Sequence, residues 1–374
     1  MEMNNTAEQE IIEQFSVLLP SFVFICILIT VGIPGNILAI IVYGFKLKTT
    51  TGRYAIVSLA ICDVVNCVLS IPVELFVMTR YWHFEHAALC KMSRFLTYAM
   101  NNSSALILLA IAVERYRAIC NPHKPKISSS CIFKACVTLI IVGFIIALPA
   151  LWIYGIQTDA WLHGNILKLP YTVNTEYNNT IIHHSDSNIV SYLMSNKSAY
   201  KYSGTQIVTK RCLMDDRFRQ TWFAYSHFGF VTIASEIILV ILIGIYIQIG
   251  RKIYGLRNMG SCSADEESMR RSAKRKKQAT LVLFLITLAF EFTFLPFTII
   301  TNIRFFTEPA WYNNLSNAGK MAYHFFLRSY YFNNAVNPFI YCVSCGNFRS
   351  ALFKLFQTLK QKVRNCCNGS EIEF

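Results

Sequence analysis

The stretch Phe95-Leu96-Thr97-Tyr98-Ala99-Met100-Asn101-Asn102-Ser103-Ser104-Ala105-Leu106-Ile107-Leu108-Leu109-Ala110-Ile111-Ala112-Val113-Glu114-Arg115-Tyr116 decides how this chain is read. A long apolar run ends abruptly in an acid, a guanidinium and a phenol. A charge costs roughly 2.5–3.5 kcal/mol at the centre of a spanning helix, so a charge pair at a membrane exit invites an explanation. Two readings stand at this point: Arg115 and Arg117 anchor a helix end on the positive side of a membrane, or Glu114-Arg115-Tyr116 is a working part.

The composition settles the surroundings. With 54% hydrophobic and 15% charged residues and a mean hydropathy of +0.38, the chain is too apolar and too charge-poor for a soluble protein of 374 residues. Runs of ~20 mostly apolar residues, enough for ~30 Å of hydrocarbon, fall at 17–45, 54–78, 95–113, 135–156, 221–249, 280–303 and 321–343. The expected fold is an all-α membrane protein, a seven-transmembrane helix bundle (17–343), with its termini on opposite sides. No internal repeat or separate soluble domain is evident.

The net charge of +14 is unevenly spread. Lys46, Lys48 and Arg53 lie in the first connection, Arg115, Arg117, Lys124 and Lys126 in the third, and the run Arg270 to Lys277 in the fifth, a basic loop over 250–279. Residues 1–16 carry Glu2, Glu8, Glu10 and Glu13 without Lys or Arg. The positive-inside rule therefore sets the N-terminus outside and the basic loops in the cytoplasm, expected at the plasma membrane. The basic charge is topological and calls for no nucleic acid. The acidic opening segment and a first run long enough to span argue against a cleaved signal peptide.

Topology also sorts the thirteen cysteines. All but two fall in spans or against the reducing cytoplasm, and Cys90 with Cys212 are left to pair on the oxidising side. The long outer connection 157–220 ends in residues 206–212, which alternate enough to form one arm of a hairpin. Sequons at Asn4, Asn178, Asn196 and Asn314 fall outside, where glycans attach. Residues 346–374 form a cytoplasmic tail whose start, 348–356, is amphipathic and reads as a short eighth helix on the inner leaflet, a contact with membrane lipid. Cys366 and Cys367 are candidates for palmitoylation at its far end.

With these features in this order, the chain resembles the rhodopsin-like (class A) G-protein-coupled receptors over 35–356. Gly35-Asn36, Leu59-Ala60-Ile61-Cys62-Asp63, Trp82, Glu114-Arg115-Tyr116 and Asn337-Pro338-Phe339-Ile340-Tyr341 match family motifs in order and spacing. The resemblance implies a receptor with no catalysis, an extracellular ligand, a heterotrimeric G-protein partner and arrestin. It implies no cofactor other than an allosteric sodium ion at Asp63, held with Asn36, Ser104, Asn333 and Asn337; a hydrogen-bonded packing cluster without an ion is the alternative. Arg115 would pair with Glu114 at rest and turn towards Tyr246 on activation. Phe294, Pro296, Pro338 and Tyr341 would be the moving parts, the two prolines loosening the sixth and seventh helices.

This chain departs from the family pattern in several places. Phe294 stands where the sixth span usually has Trp, Ile238 replaces the proline of the fifth, and Leu139 lies where the fourth carries Trp. Lys276 stands where an acid would lock Arg115, so raised basal activity is expected. Thr97 in place of an Asp argues against amine ligands, and Tyr331 in place of a Schiff-base lysine argues against an opsin. Residues 113–122 resemble those of neuropeptide receptors such as the cholecystokinin and galanin types, which implies a peptide ligand; a lipid or other non-amine small molecule is the alternative. Candidate ligand contacts are Glu74, Thr97, Asn101, His227, Phe297, Thr298, Thr301, Arg304, Leu327 and Tyr331, with His324 and Arg328 also near the rim. A seven-span transporter would show paired hydropathy repeats, and a membrane metal hydrolase would need clustered His and carboxylates; neither pattern is found and no metal-ligating set is expected beyond the sodium cluster. The buried acids Glu236 and Glu291 are assigned no role.

Overall fold

A computed structural model describes residues 2–47, 51–123, 125, 127–162, 165–167, 207–219, 221–258, 266–306 and 310–369. Its helices are α1 (Glu2–Ile41), α2 (Thr51–Val65), α3 (Ile71–Thr79), α4 (Ala87–Cys120), α5 (Ser129–Ala147), α6 (Ala150–Ile153), α7 (Trp222–Asn258), α8 (Glu266–Phe306), α9 (Ala310–Asn313), α10 (Asn317–Phe326), α11 (Asn333–Ser344) and α12 (Gly346–Gly369). Strands β1 (Tyr154–Leu162), β2 (Asn165–Leu167) and β3 (Ile207–Met214) form an antiparallel sheet in the order β2-β1-β3. Among the described residues six helices are long and apolar enough to cross a membrane, at Phe15–Lys46, Gly52–Thr79, Ala87–Cys120, Ser129–Ile153, Trp222–Tyr254 and Thr280–Arg304.

The seventh span is made of pieces. α10 leads into a 3-10 turn at Ser329–Phe332 and then α11. Pro338 sits within α11, whereas the change of helix type precedes it, where Arg328 N bonds Phe325 O and Tyr331 N bonds Arg328 O. Ser329 Oγ donates to Thr293 O of α8 at 2.7 Å. That carbonyl lies in the turn before Pro296, which has no N–H for the carbonyl four residues earlier and so loosens the ladder there.

Much of the core is built where the first, second, third, sixth and seventh spans meet. Gly35 allows this closeness, since a Cβ there would lie 2.9 Å from Pro338 Cγ. Asn36 Nδ2 donates to Asn334 O at 2.6 Å, tying the first span to the seventh. A short π-helical turn, Asn66–Ser70, joins α2 to α3 and turns Asn66 towards Asn101 Oδ1 and Asn334 Oδ1, each at 3.3 Å. Near the other end Tyr43, Tyr341 and Phe348 pack as an aromatic group that seats α12 against the bundle. Arg349 Nη1 donates to Cys342 O and Val343 O, capping the end of α11 with a cation.

Several expected segments take a different extent. The basic connection over 250–279 is largely helical, because α7 runs on to Asn258 and α8 starts at Glu266. The amphipathic segment is 24 residues long, with Phe353, Phe356 and Val363 exposed. Asn4, Lys276, Cys366 and Cys367 fall in described helices, and Asn314 is exposed after α9. Asn178 and Asn196 lie outside the described residues.

Candidate functional site

At the sheet end, Cys90 of α4 is bonded to Cys212 of β3, as the compartment argument required. The sheet is also held by Phe84 N donating to Lys210 O at 2.8 Å and Lys210 N donating to Trp82 O at 2.9 Å. Arg211 lies over the Trp82 ring at 5.4 Å. Lys210 Nζ donates to Glu85 Oε1 at 2.9 Å and holds that exposed carboxyl below its ordinary range.

Beneath the sheet lies a cavity of about 960 Å³. Its wall draws on every span from the second to the seventh and on β1 and β3. Aromatic rings form part of it: Tyr98 and Tyr154 share a hydroxyl hydrogen bond of 2.8 Å, and Phe297 meets Tyr330 edge-on at 4.8 Å. Tyr312 OH, on the cavity wall, lies 2.8 Å from Nε2 of His324, which is buried behind the wall and not at its rim as expected; burial pushes the Tyr312 phenol up.

Of the expected contacts, Glu74, Thr97, Asn101, Phe297, Thr298, Thr301, Arg304 and Leu327 line this cavity, and so does Arg328. His227 and Tyr331 do not. Tyr225 and Phe228 take the wall beside His227, and Tyr330 takes it beside Tyr331, which is fully buried between helices. Glu74 is not a rim residue: it is 1% exposed. Its carboxylate meets Arg94 Nη2 at 2.8 Å and Arg328 Nε at 2.8 Å. Arg94 was not among the expected residues. Glu236 and Glu291 line the deeper wall from the fifth and sixth spans, each within the electrostatic reach of the other.

The polar set below the cavity assembles around Asp63, which is 1% exposed. Asn337 Nδ2 donates to Asp63 Oδ2 at 2.9 Å. Ser104 and Asn333 are buried, while it is Asn334, next to Asn333, whose carbonyl accepts from Asn36. Asn66, three residues after Asp63 and so on the same helical face, joins this set and was missed; the (i, i+3) spacing of two polar residues in an apolar helix is the signal. Among the described residues the buried Asn36 Oδ1, Asn337 Oδ1 and Tyr341 OH have no hydrogen-bond partner.

Phe294 stacks on Phe290 at 4.5 Å and leans on Tyr330 at 5.9 Å, so an aromatic column connects the cavity with the helix interior. At the far end Arg115 Nε lies 3.0 Å from Glu114 Oε2. A Cβ on Gly52 would lie 2.6 Å from Arg115 Nη2, so a larger residue there would make the guanidinium shift from this position beside α2. Tyr246 OH and Thr287 Oγ1 are 3.0 Å apart, linking the fifth and sixth spans.

A seven-helix membrane bundle with a large cavity under a pinned sheet at one end and an acid-arginine pair at the other has the layout of a transmembrane receptor. The chain belongs to the 7 transmembrane receptor (rhodopsin family), whose model matches residues 35–163 and 187–341. It is 26% identical over 333 residues to the RYamide receptor of Drosophila melanogaster, covering 87% of this chain and 61% of that one. It is 25% identical over 338 residues to neuromedin-U receptor 2 of Mus musculus, covering 89% and 74% of the two chains. With neuropeptide FF receptor 2 of Mus musculus it shares 24% over 352 residues, 93% of this chain and 74% of the relative. The likeness to receptors of this kind, first read from residues 113–122, extends along most of the chain.

Proposed function

We propose that this chain is a plasma-membrane receptor, N-terminus outside, that binds a peptide in the cavity beneath the sheet and activates a heterotrimeric G protein at Arg115. The observation that carries this reading is the cavity itself. Its volume of about 960 Å³ and aromatic wall suit several side chains of a peptide, at the upper end of what small-molecule sites offer. Relatives named as receptors for RYamide, neuromedin U and neuropeptide FF support a peptide over a lipid.

Ligand seated against Phe297 and Tyr330 bears on Phe294, and Phe294 sits two residues before Pro296, where α8 is loosened. Displacement there swings the far end of α8, and Arg115 exchanges Glu114 for Tyr246 and the partner protein. Asp63, Asn36, Asn337 and Ser104 offer hard oxygen donors, two of them the buried amide oxygens without partners, which fits a sodium ion. Such an ion would neutralise the Asp63 carboxylate within the bundle.

Screening a peptide library against expressing cells, with calcium and cyclic AMP read together, supplies an agonist. Agonist-dependent nucleotide exchange on a purified G protein is then expected in wild type and lost in Arg115→Ala at equal surface expression. Exchange that ignores this substitution would sink the mechanism.

A further inference from the structure

The charge balance at the sheet end of the cavity points to one chemical feature of the ligand. Arg94 from the third span and Arg328 from the seventh converge on Glu74 of the second, at 2.8 Å each. All three are withdrawn from solvent, with side-chain exposures of 15%, 4% and 2%. One carboxylate thus answers two guanidiniums, leaving a local charge of +1. His324, whose carbonyl accepts from Arg328 Nη1 at 3.1 Å, contributes no negative charge. Uncompensated charge away from water is costly, and a guanidinium carries five N–H donors, more than one shared carboxylate absorbs.

Both guanidiniums also line the cavity, as does Arg304, while Glu236 and Glu291 lie deeper. Phe297 and Tyr330 flank the same space with apolar surface. We infer that the ligand presents a carboxylate to Arg94 and Arg328, with Glu74 acting as the internal anion that holds the two guanidiniums together and competes for them. This rests on reading the cavity as the ligand site, and it assigns Glu74 the opposite task from a residue that would bind a ligand cation directly.

The test uses purified full-length receptor and small probes, so that it does not depend on the peptide reading. Unfolding temperature is followed against 4-phenylbutyrate and its neutral analogue 4-phenylbutyramide at constant ionic strength. The carboxylate is expected to give a saturable rise and the amide none, since a ligand that binds the folded state stabilises it by mass action. Arg94→Gln and Arg328→Gln should each weaken the carboxylate about tenfold, the scale of one lost charge-assisted hydrogen bond. Glu74→Gln should strengthen it by a similar factor, a gain that misfolding does not mimic. N-acetyl-Phe-Phe with a free C-terminus against N-acetyl-Asp-Phe-amide separates a chain-terminal carboxylate from a side-chain one. Equal effects of 4-phenylbutyrate and its amide, or weaker carboxylate binding by Glu74→Gln, would overturn the inference while leaving a peptide agonist possible; failure of the peptide screen would leave the anion site intact.

Discussion

Asp63 receives a hydrogen bond from Asn337 Nδ2 at 2.9 Å in a position that is 1% exposed. An ionised carboxylate in hydrocarbon needs more compensation than a single neutral donor supplies. Sodium among the neighbouring amide oxygens would supply it, and the consequence is measurable without any agonist. Wild-type receptor in sodium chloride is expected to unfold at a higher temperature than in N-methylglucamine chloride of equal strength. At sodium tenfold above its dissociation constant the gain is about 1.4 kcal/mol. Asp63→Asn, which keeps size and hydrogen bonding but removes the charge, should abolish the difference. If Asp63→Asn responds to sodium as wild type does, the ion is held elsewhere or not at all.

Among elements, the sheet and the seventh span mark what the amino-acid sequence reveals and where it falls short. Cys90 and Cys212 lie 122 residues apart in sequence, and their bond fastens β3 to the start of α4 over the cavity mouth. Closing so long a loop restricts the unfolded chain, and its removal typically costs about 2–5 kcal/mol. The Cys90→Ser/Cys212→Ser double variant is expected to melt measurably lower in purified form and to lose agonist binding; an unchanged melting temperature would show that the backbone bonds of Lys210 to Trp82 and Phe84 suffice. This bond, the six long spans and the Arg115 end were legible because hydropathy, charge sign and redox compartment act on residues one at a time. Helical facing was legible for only part of the cavity wall. The 3-10 turn at Ser329–Phe332 has 3.0 residues per turn against 3.6, so an extrapolated face slips, and Tyr330 takes the wall expected of Tyr331. On α7 the wall falls on Tyr225 and Phe228, on either side of His227. Arg94 went unrecognised for a different reason: its partners Glu74 and Arg328 lie in other spans, and only the packed bundle brings them together.

For the molecule as a whole, the most loosely packed boundary is the one between the fifth and sixth spans. The fifth span is the least enclosed of the six long helices, with 6% of its most apolar window buried against 56% for the third. Little packing opposes relative motion there, so a single polar contact carries weight in setting the conformational balance. That contact is Tyr246 OH with Thr287 Oγ1 at 3.0 Å, and Thr287 Oγ1 is itself held to Leu283 O at 3.0 Å. While Tyr246 is engaged with α8 it is withheld from Arg115, and Arg115 keeps its local pair with Glu114. Thr287→Val preserves shape and removes the hydroxyl. A hydrogen bond of this kind contributes about 0.5–1.5 kcal/mol net, so its loss should raise the population of the Arg115-released state by roughly 2–12-fold. Basal nucleotide exchange on a purified G protein is expected to rise by that factor at matched receptor amounts. Tyr246→Phe removes the same bond but also the hydroxyl that would meet Arg115, so it should lower agonist-driven exchange without the basal gain. Opposite behaviour of these two substitutions separates release of a resting contact from loss of an active one; identical behaviour would mean that Thr287 only packs.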